Sequence, residues 1–354
     1  MRIVVAMSGG VDSSVAAALL RREGHEVVGV SMQLYDQRDP SSAFGSCCTL
    51  DDLSDARRVA AVLGIPHYIM NFERQFEEQV VSNFVSEYVA GRTPLPCAHC
   101  NSELKFQTLL DRARTLGAES VATGHYARVE RDDARGRYLL RRGADRSKDQ
   151  SYFLFSLDQE QLARAVFPVG GLDKDAVRRI ARDEGLPVAA KPDSQEICFV
   201  PGGDYAAFVE ARAEGVVAGG AIVNSEGRTL GRHDGVHRFT VGQRKGLGLS
   251  SSIPLYVTEI RPADRTVVVG PSAALERTSF TASRVNWILC DPPDAPRAVT
   301  AQIRHRQQPA AAHVMALEPG RARVEFVEPQ RAVTPGQAVV FYEDDRVMAG
   351  GWID

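Results

Sequence analysis

Val4–Leu20 reads VVAMSGGVDSSVAAALL. An apolar run ending at Ala6 leads into two glycines among hydroxyls, and an alanine-rich helical pattern follows at once. Strand, tight loop and helix in that order predict a phosphate loop. The backbone N–H groups of Ser8, Gly9, Gly10 and Val11 at a helix head, with the hydroxyls of Ser13 and Ser14, make an anion site. A Walker loop would follow its last glycine with a lysine that reaches the β- and γ-phosphates. Here Val11 and Asp12 stand instead. At the helix start Asp12 is placed to cap free N–H groups or to help hold Mg2+.

Outward from the loop, apolar strand candidates at Ile3–Ala6, Val27–Met32, His67–Asn71 and Ser120–Thr123 alternate with helical patterns. Those patterns cover Asp12–Glu23, Asp51–Leu63, Phe76–Ala90 and Ser102–Leu116, with Gly24, Gly64, Gly91 and Gly117 placed as left-handed C-caps. Such alternation predicts an α/β fold with a doubly wound, mostly parallel sheet, and the loop then lies at its ligand-binding carboxyl edge. Tyr126–Glu130 and Tyr138–Arg141 flank RDDARG and predict a hairpin. Helical patterns at Gln159–Val166 and Lys174–Glu184 complete a first domain, residues 1–202. Beyond it, short β-runs such as VTEIRPADRTVVVG and VMALEPGRARVEFVEPQ alternate with turn signals. They predict small antiparallel units: a β-rich central domain, 203–275, and a C-terminal β-barrel, 276–354.

A chain of 354 residues exceeds one ordinary core. With 44% hydrophobic and 25% charged residues it reads as globular. No apolar run approaches the ~18–20 residues of a membrane span, and Met1–Ile3 opens a buried strand rather than a leader, so a cytoplasmic protein without membrane partners is expected. A net charge of −3 argues against sequence-blind nucleic-acid binding, although local basic patches suffice to dock a folded RNA.

The six cysteines are Cys47, Cys48, Cys97, Cys100, Cys198 and Cys290. The stretch TPLPCAHCNSELKF, Thr93–Phe106, places Cys97 and Cys100 just ahead of a predicted helix. A helix head and a basic neighbour such as Lys105 favour thiolate, which makes Cys100 a candidate nucleophile. Cys198 follows in DSQEICFV. The residues alone leave other readings open: Cys97 and Cys100 as half of a zinc site with Cys47 and Cys48, and Cys198 as a core side chain.

Seven motifs occur along the chain in the order AMSGGVDSSV, CNSELKF, ATGHYAR, SKDQSYFL, DSQEICF, TVGQRKGLG and VTPGQAVVFY. In these the chain resembles the bacterial tRNA-specific 2-thiouridylases, pyrophosphate-loop ATPases, over nearly its whole length. The resemblance implies that the loop holds the pyrophosphate that departs when ATP leaves AMP on the C2 oxygen of a wobble uridine. It implies ATP contacts at Ala6, Met7, Ser8, Gly9, Gly10, Val11, Asp12, Ser13, Met32 and Gly124. Cys100 matches the nucleophile and Cys198 the cysteine that carries a persulfide, with a Cys100–Cys198 disulfide left after transfer. Leu95, Pro96, Cys97, His125, Lys148, Asp149, Gln150, Arg304, His305 and Gln337 match tRNA contacts. ATP and Mg2+ are the implied cofactors. The implied partners are tRNAs for Lys, Glu and Gln and a sulfur-relay protein or cysteine desulfurase. One departure stands out: best-described members carry Asn-Pro-Asp where this chain has Leu95-Pro96-Cys97. The aspartate is lost, and Cys97 joins Cys100 and Cys198 as a third thiol that would allow a [4Fe-4S] cluster to deliver hydrosulfide. Rival readings are an amidating synthetase of the same loop class and a non-catalytic RNA-binding protein.

Overall fold

The computed structural model describes residues 1–35, 49–193, 197–213 and 218–354. Cys47, Cys48 and Ser194–Glu196 lie outside the described residues, and with them half of the zinc alternative. Two compact units are present, one formed by Met1–Val80, Cys97–Gly203 and Asp345–Val347, the other by Val81–Pro96, Asp204–Asp344 and Met348–Asp354.

The first unit is built on a five-stranded parallel sheet. Its strands are β1 (Arg2–Ala6), β2 (Glu26–Gln33), β3 (His67–Asn71), β4 (Ser120–Ala122) and the short β7 (Ala165–Val166), in the order β3-β2-β1-β4-β7. The chain winds outward to one side through β2 and β3, then crosses back to β4, so the switch point falls between β1 and β4. Helix α1 (Val11–Arg22) and helix α2 (Leu50–Leu63) fill the connections β1–β2 and β2–β3. The alanines of α1 permit close packing: Ala16, Ala17 and Ala18 are buried with Val5, Val15, Ala56 and Val59, and the helix Lys174–Asp183 adds Val177 and Ala181 to the same cluster. The predicted hairpin is present as β5 (Ala127–Asp132) and β6 (Arg137–Arg142).

Three boundaries differ from the sequence reading. The helical run expected from Phe76 starts at Glu73, and the one expected from Ser102 starts at Pro96. Proline has no N–H to leave unpaired in a first turn, so Pro96 is a better start than the serine six residues on. The helix begun at Gln159 ends at Arg164, because Ala165 and Val166 form the edge strand beside β4.

In the second unit a four-stranded sheet, order β10-β11-β8-β9, comprises β8 (Gly220–Val223), β9 (Thr229–His233), β10 (Tyr256–Arg261) and β11 (Thr266–Gly270) around Ile222, Phe239, Val257 and Val267. It is mixed rather than purely antiparallel, since β8 and β11 run parallel. A barrel of β12 (Glu276–Trp287), β13 (Arg297–Gln302), β14 (Ala310–Ala316), β15 (Ala322–Arg331), β16 (Ala338–Glu343) and β17 (Arg346–Ile353) follows the order β12-β15-β14-β13-β16-β17. Pairing of β12 with β17 closes it, which removes the exposed edges.

Two glycines fix the loop geometry. Gly9 takes φ +73°, and a Cβ there would stand 2.2 Å from the Asp52 carbonyl oxygen at the head of α2. A Cβ on Gly124 would stand 2.5 Å from the Ser13 nitrogen. Gly9→Ala is therefore expected to cost about 2–5 kcal/mol, from left-handed backbone plus overpacking. Gly185→Ala, also at positive φ (+63°) but with nothing within 4 Å, should cost only about 1–2 kcal/mol. Denaturant unfolding of the two variants checks this; equal losses would show that the contact with Asp52 is not the constraint.

Candidate active site

Met7 continues the register of β1, its N–H donating to Val30 O at 2.8 Å, and the chain then turns at Ser8–Gly10 into α1. The loop hydroxyls brace the turn. Ser13 Oγ donates to Gly10 O at 3.2 Å and accepts from Ser8 N–H at 3.2 Å, while Ser14 Oγ donates to Gly10 O at 2.8 Å. Ser31 Oγ, on β2, donates to Met7 O at 2.7 Å and lies 2.9 Å from His67 Nε2. Burial, with Arg57 nearby, pushes the His67 imidazole below its ordinary value and keeps it neutral.

Asp12 does not cap α1, whose N-cap is Gly10 without a side-chain bond. Lys174 Nζ instead grips both its oxygens, at 2.8 and 2.9 Å, and Tyr126 OH donates to Oδ1 at 2.8 Å. Lys174 also meets Asp193 Oδ1 at 2.7 Å, and Asp193 accepts from Lys148 (2.8 Å) and Arg178 (3.1 Å) as well. A second lysine lies on the loop itself: Lys191 Nζ donates to Gly9 O at 3.0 Å, Asp52 Oδ1 at 2.6 Å and Asp55 Oδ2 at 2.6 Å. Asp52 is doubly committed, because its other oxygen accepts from Thr49 N–H at 3.0 Å in a capping box at the head of α2. The cations missing from the loop's own sequence thus come from far along the chain. Sequence reasoning passed over Lys174, Lys191, Asp193 and Tyr126; the available signal was a phosphate loop without a lysine and AKPDS upstream of Cys198.

Cys100 was expected at a helix head. The helical run begins at Pro96, which puts exposed Cys97 in the first turn and half-buried Cys100 one turn further in, at the start of the π-helical stretch Cys100–Thr108. Its neighbour Asn101 is buried, donates to Phe153 O at 3.0 Å and accepts from Lys105 Nζ at 3.0 Å. Lys105 is therefore held beside the Cys100 segment. Cys198 is half-buried, and Phe199 next to it packs edge-on to Phe76 at 5.3 Å. Neither thiol is in a disulfide. Among the described residues no three His, Cys, Asp or Glu side chains come together to hold a metal ion.

The residues matched to tRNA contacts divide in two. Asp149 faces inward, accepting from Gly143 N–H (3.0 Å), Arg142 (3.0 Å) and Ser151 N–H (3.1 Å), and Gln150 Oε1 accepts from Tyr126 N–H at 3.0 Å. These two build the turn that presents Lys148. His125 Nδ1 lies 2.7 Å from Thr123 Oγ1, and burial, reinforced by Lys105, holds its imidazole well below the usual range. In the second unit Gln337 Nε2 donates to Thr93 O (3.0 Å) and Pro94 O (3.1 Å), directly before Leu95 and Pro96. Arg304 donates to Ala332 O, leaving exposed His305 and Arg306 at the loop tip.

A parallel sheet with a phosphate loop at its switch point and no Walker lysine defines a nucleotide-binding domain of the HUP class. Residues 1–202 match the family model described as the tRNA methyl transferase HUP domain. Residues 208–271 match the corresponding PRC-barrel domain, and 277–353 the aminomethyltransferase β-barrel domain. The chain is 56% identical to the tRNA-specific 2-thiouridylase MnmA of Solibacter usitatus, covering 99% of each chain. It is 52% identical to that of Geotalea uraniireducens (100% of this chain, 95% of the relative) and 52% identical to that of Acidobacterium capsulatum (99% and 98%). The chain belongs to the tRNA-specific 2-thiouridylase family. No helix among the described residues is long and apolar enough to cross a membrane.

Burial alone would raise the Asp193 carboxyl, but hydrogen bonds from Lys148 and Lys174 outweigh it and hold the group below the ordinary carboxylate value. A depressed folded-state pKa stabilises fully above the unfolded value near ~3.9 and is lost as pH falls through the folded value. Asp193→Asn should therefore cost about 1–2 kcal/mol at neutral pH, and the difference from wild type should vanish in acid. Unfolding at pH 7 and near pH 2 measures both ends; a gap that grows on acidification would contradict the ion-pair account.

Proposed function

We propose that the chain converts the wobble uridine of tRNA, position 34, to 2-thiouridine in the cytoplasm, at the expense of ATP. The observation that carries this reading is the joint presence, in one compact unit, of a lysine-free phosphate loop and two half-buried cysteines outside any disulfide. ATP lies over Ala6–Ser13, Met32 and Gly124, and the uridine C2 oxygen attacks its α-phosphorus and expels pyrophosphate. The adenylate turns a poor leaving group into AMP. Cys198 carries sulfur as a persulfide received from a relay protein or cysteine desulfurase. The Cys100 thiolate attacks the Cys198 sulfur, its S–S bond to the outer sulfur breaks, and hydrosulfide leaves with the electron pair. Hydrosulfide adds to C2 and displaces AMP, and the remaining Cys100–Cys198 disulfide is reduced by two external thiols, which leave as a disulfide, before the next turnover.

Lys105, fixed by Asn101, is the cation that favours the Cys100 thiolate, since the free N–H groups of the helix head lie a turn away. Mg2+ would be held by the phosphates of ATP and would screen their charge; Asp12, the acidic residue of the loop, is engaged by Lys174 and Tyr126. The persulfide route is preferred to a [4Fe-4S] route because Cys100 and Cys198 match its two family positions, whereas a cluster needs Cys97 as a third ligand that the best-described members lack. Lys148 and His125 in the first unit, and Leu95, Pro96, Arg304, His305, Arg306 and Gln337 in the second, receive the tRNA; those for Lys, Glu and Gln are the proposed substrates. The working domains are 1–202 for catalysis, 203–275 as the central unit and 276–354 for tRNA.

Reconstitution with ATP, unmodified tRNA and a persulfide donor, followed by mass spectrometry of the wobble nucleoside, tests the reading. Cys100→Ser and Cys198→Ser should abolish thiolation while tRNA-dependent pyrophosphate release persists, and Cys97→Ser should keep much of the activity. An active Cys198→Ser enzyme would point to an amidating synthetase, and iron lost together with activity in Cys97→Ser would restore the cluster route. Arg306→Ala should weaken tRNA binding and lower the slope of log affinity against log salt by about 1. An unaltered slope would place the phosphate contact elsewhere.

A further inference from the structure

Lys191 is separated from the phosphate loop by most of the first unit's sequence, yet its ammonium touches the loop backbone at Gly9 O, 3.0 Å away. We propose that Lys191 is the phosphate ligand that replaces the absent Walker lysine: it holds the β- and γ-phosphates of ATP and stabilises the departing pyrophosphate. This deepens the reading above and rests on it.

The argument begins with charge. A triphosphate entering the loop meets backbone N–H groups and the Asp12 carboxylate, and an unscreened carboxylate at that place would repel it. Lys174, bonded to both Asp12 oxygens and to Asp193 and buried to 11% side-chain exposure, offsets that charge and has its donors committed to carboxylates. Lys191 differs. Its side chain is 29% exposed, and of the three donors of its ammonium one serves a neutral carbonyl, Gly9 O, on the loop that must receive the phosphate. Exchanging that carbonyl for a phosphate oxygen trades a neutral acceptor for a charged one, while Asp52 and Asp55 keep the stem aimed at the loop. Burial alone would lower the lysine's pKa, but the two carboxylates outweigh it and raise it, so the group is cationic at neutral pH.

The position also fits the chemistry. As the C2 oxygen bonds to the α-phosphorus, the bond to the α–β bridging oxygen breaks and its electron pair leaves on pyrophosphate. An ammonium already held at the loop stabilises that growing charge without reorganising.

Calorimetric titration of the full chain with ATP, and with AMP, separates this role from a structural one. Lys191→Met should weaken ATP binding roughly 10- to 100-fold and leave AMP binding within about twofold, since AMP lacks the phosphates in question. Lys191→Arg should recover part of the ATP affinity. Because Lys191→Met removes the cation shared by Asp52 and Asp55, the double variant Lys191→Met/Asp55→Asn provides the same comparison with less repulsion. Equal weakening of ATP and AMP, or unchanged ATP binding, would overturn the assignment. A wild-type chain that fails to bind ATP would instead overturn the reading on which it rests.

Discussion

The head of α2 approaches the phosphate loop so closely that only a glycine fits between them, and much of the active unit follows from that one contact. Gly9 must take positive φ beneath the Asp52 carbonyl. Asp52 must in turn be where the capping box with Thr49 places it, and its free oxygen then lies ready for Lys191. One aspartate therefore starts a helix, limits the loop and aims a cation. A capping contact of this kind contributes roughly 1 kcal/mol locally. Its larger consequence is positional, because a misplaced α2 head would move both the loop floor and the lysine.

The fold was largely legible because its signals are local. Ile3–Ala6, Val27–Met32, His67–Asn71 and Ser120–Thr123 reappear as β1 to β4 within two residues at each end, and Gly24, Gly64, Gly91 and Gly117 all take positive φ. The hairpin at β5 and β6 and the barrel were equally readable from turn signals between alternating runs. What failed was set by neighbours distant in sequence. Val166 continues a helical pattern yet serves as an edge strand, since β4 offers it an unpaired ladder. The parallel pairing of β8 with β11 is likewise invisible to a reading that pairs each strand with the next.

The site was legible in its motifs and opaque in its wiring. SGGVDSS announces a phosphate loop, but nothing in those seven residues tells that Asp12 is spent on Lys174 and Tyr126. Polar residues at a functional stretch need not face a substrate. Asp149 and Gln150 are turned into the turn they stabilise, which leaves Lys148 as the outward group of that stretch. Cys100 shows the same limit from the other side, since Pro96 starts the helix early and shifts the helix-head advantage to Cys97. The exposed thiol lies in the first turn and the half-buried one beside Asn101, which holds Lys105, so in the proposed reaction activation of Cys100 rests on a side chain, which a mutation can remove, rather than on the backbone.

Asp193 joins these parts. Its carboxylate is shared by Lys148, on the stretch matched to tRNA, by Lys174, which neutralises Asp12 on the phosphate loop, and by Arg178. It also stands five residues before Cys198. Groups that share one acceptor do not contribute independently, because removal of any one cation redistributes the others and leaves part of a desolvated charge unpaired. A loss of thiolation on substituting Lys148 is thus ambiguous by itself. The missing charge acts both on whatever Lys148 contacts and, through Asp193, on the lysine that screens Asp12 before a triphosphate can enter. Through Asp193, Lys148 and Lys174 are electrostatically one object in this unit, and roles within it can be apportioned only by varying the two together.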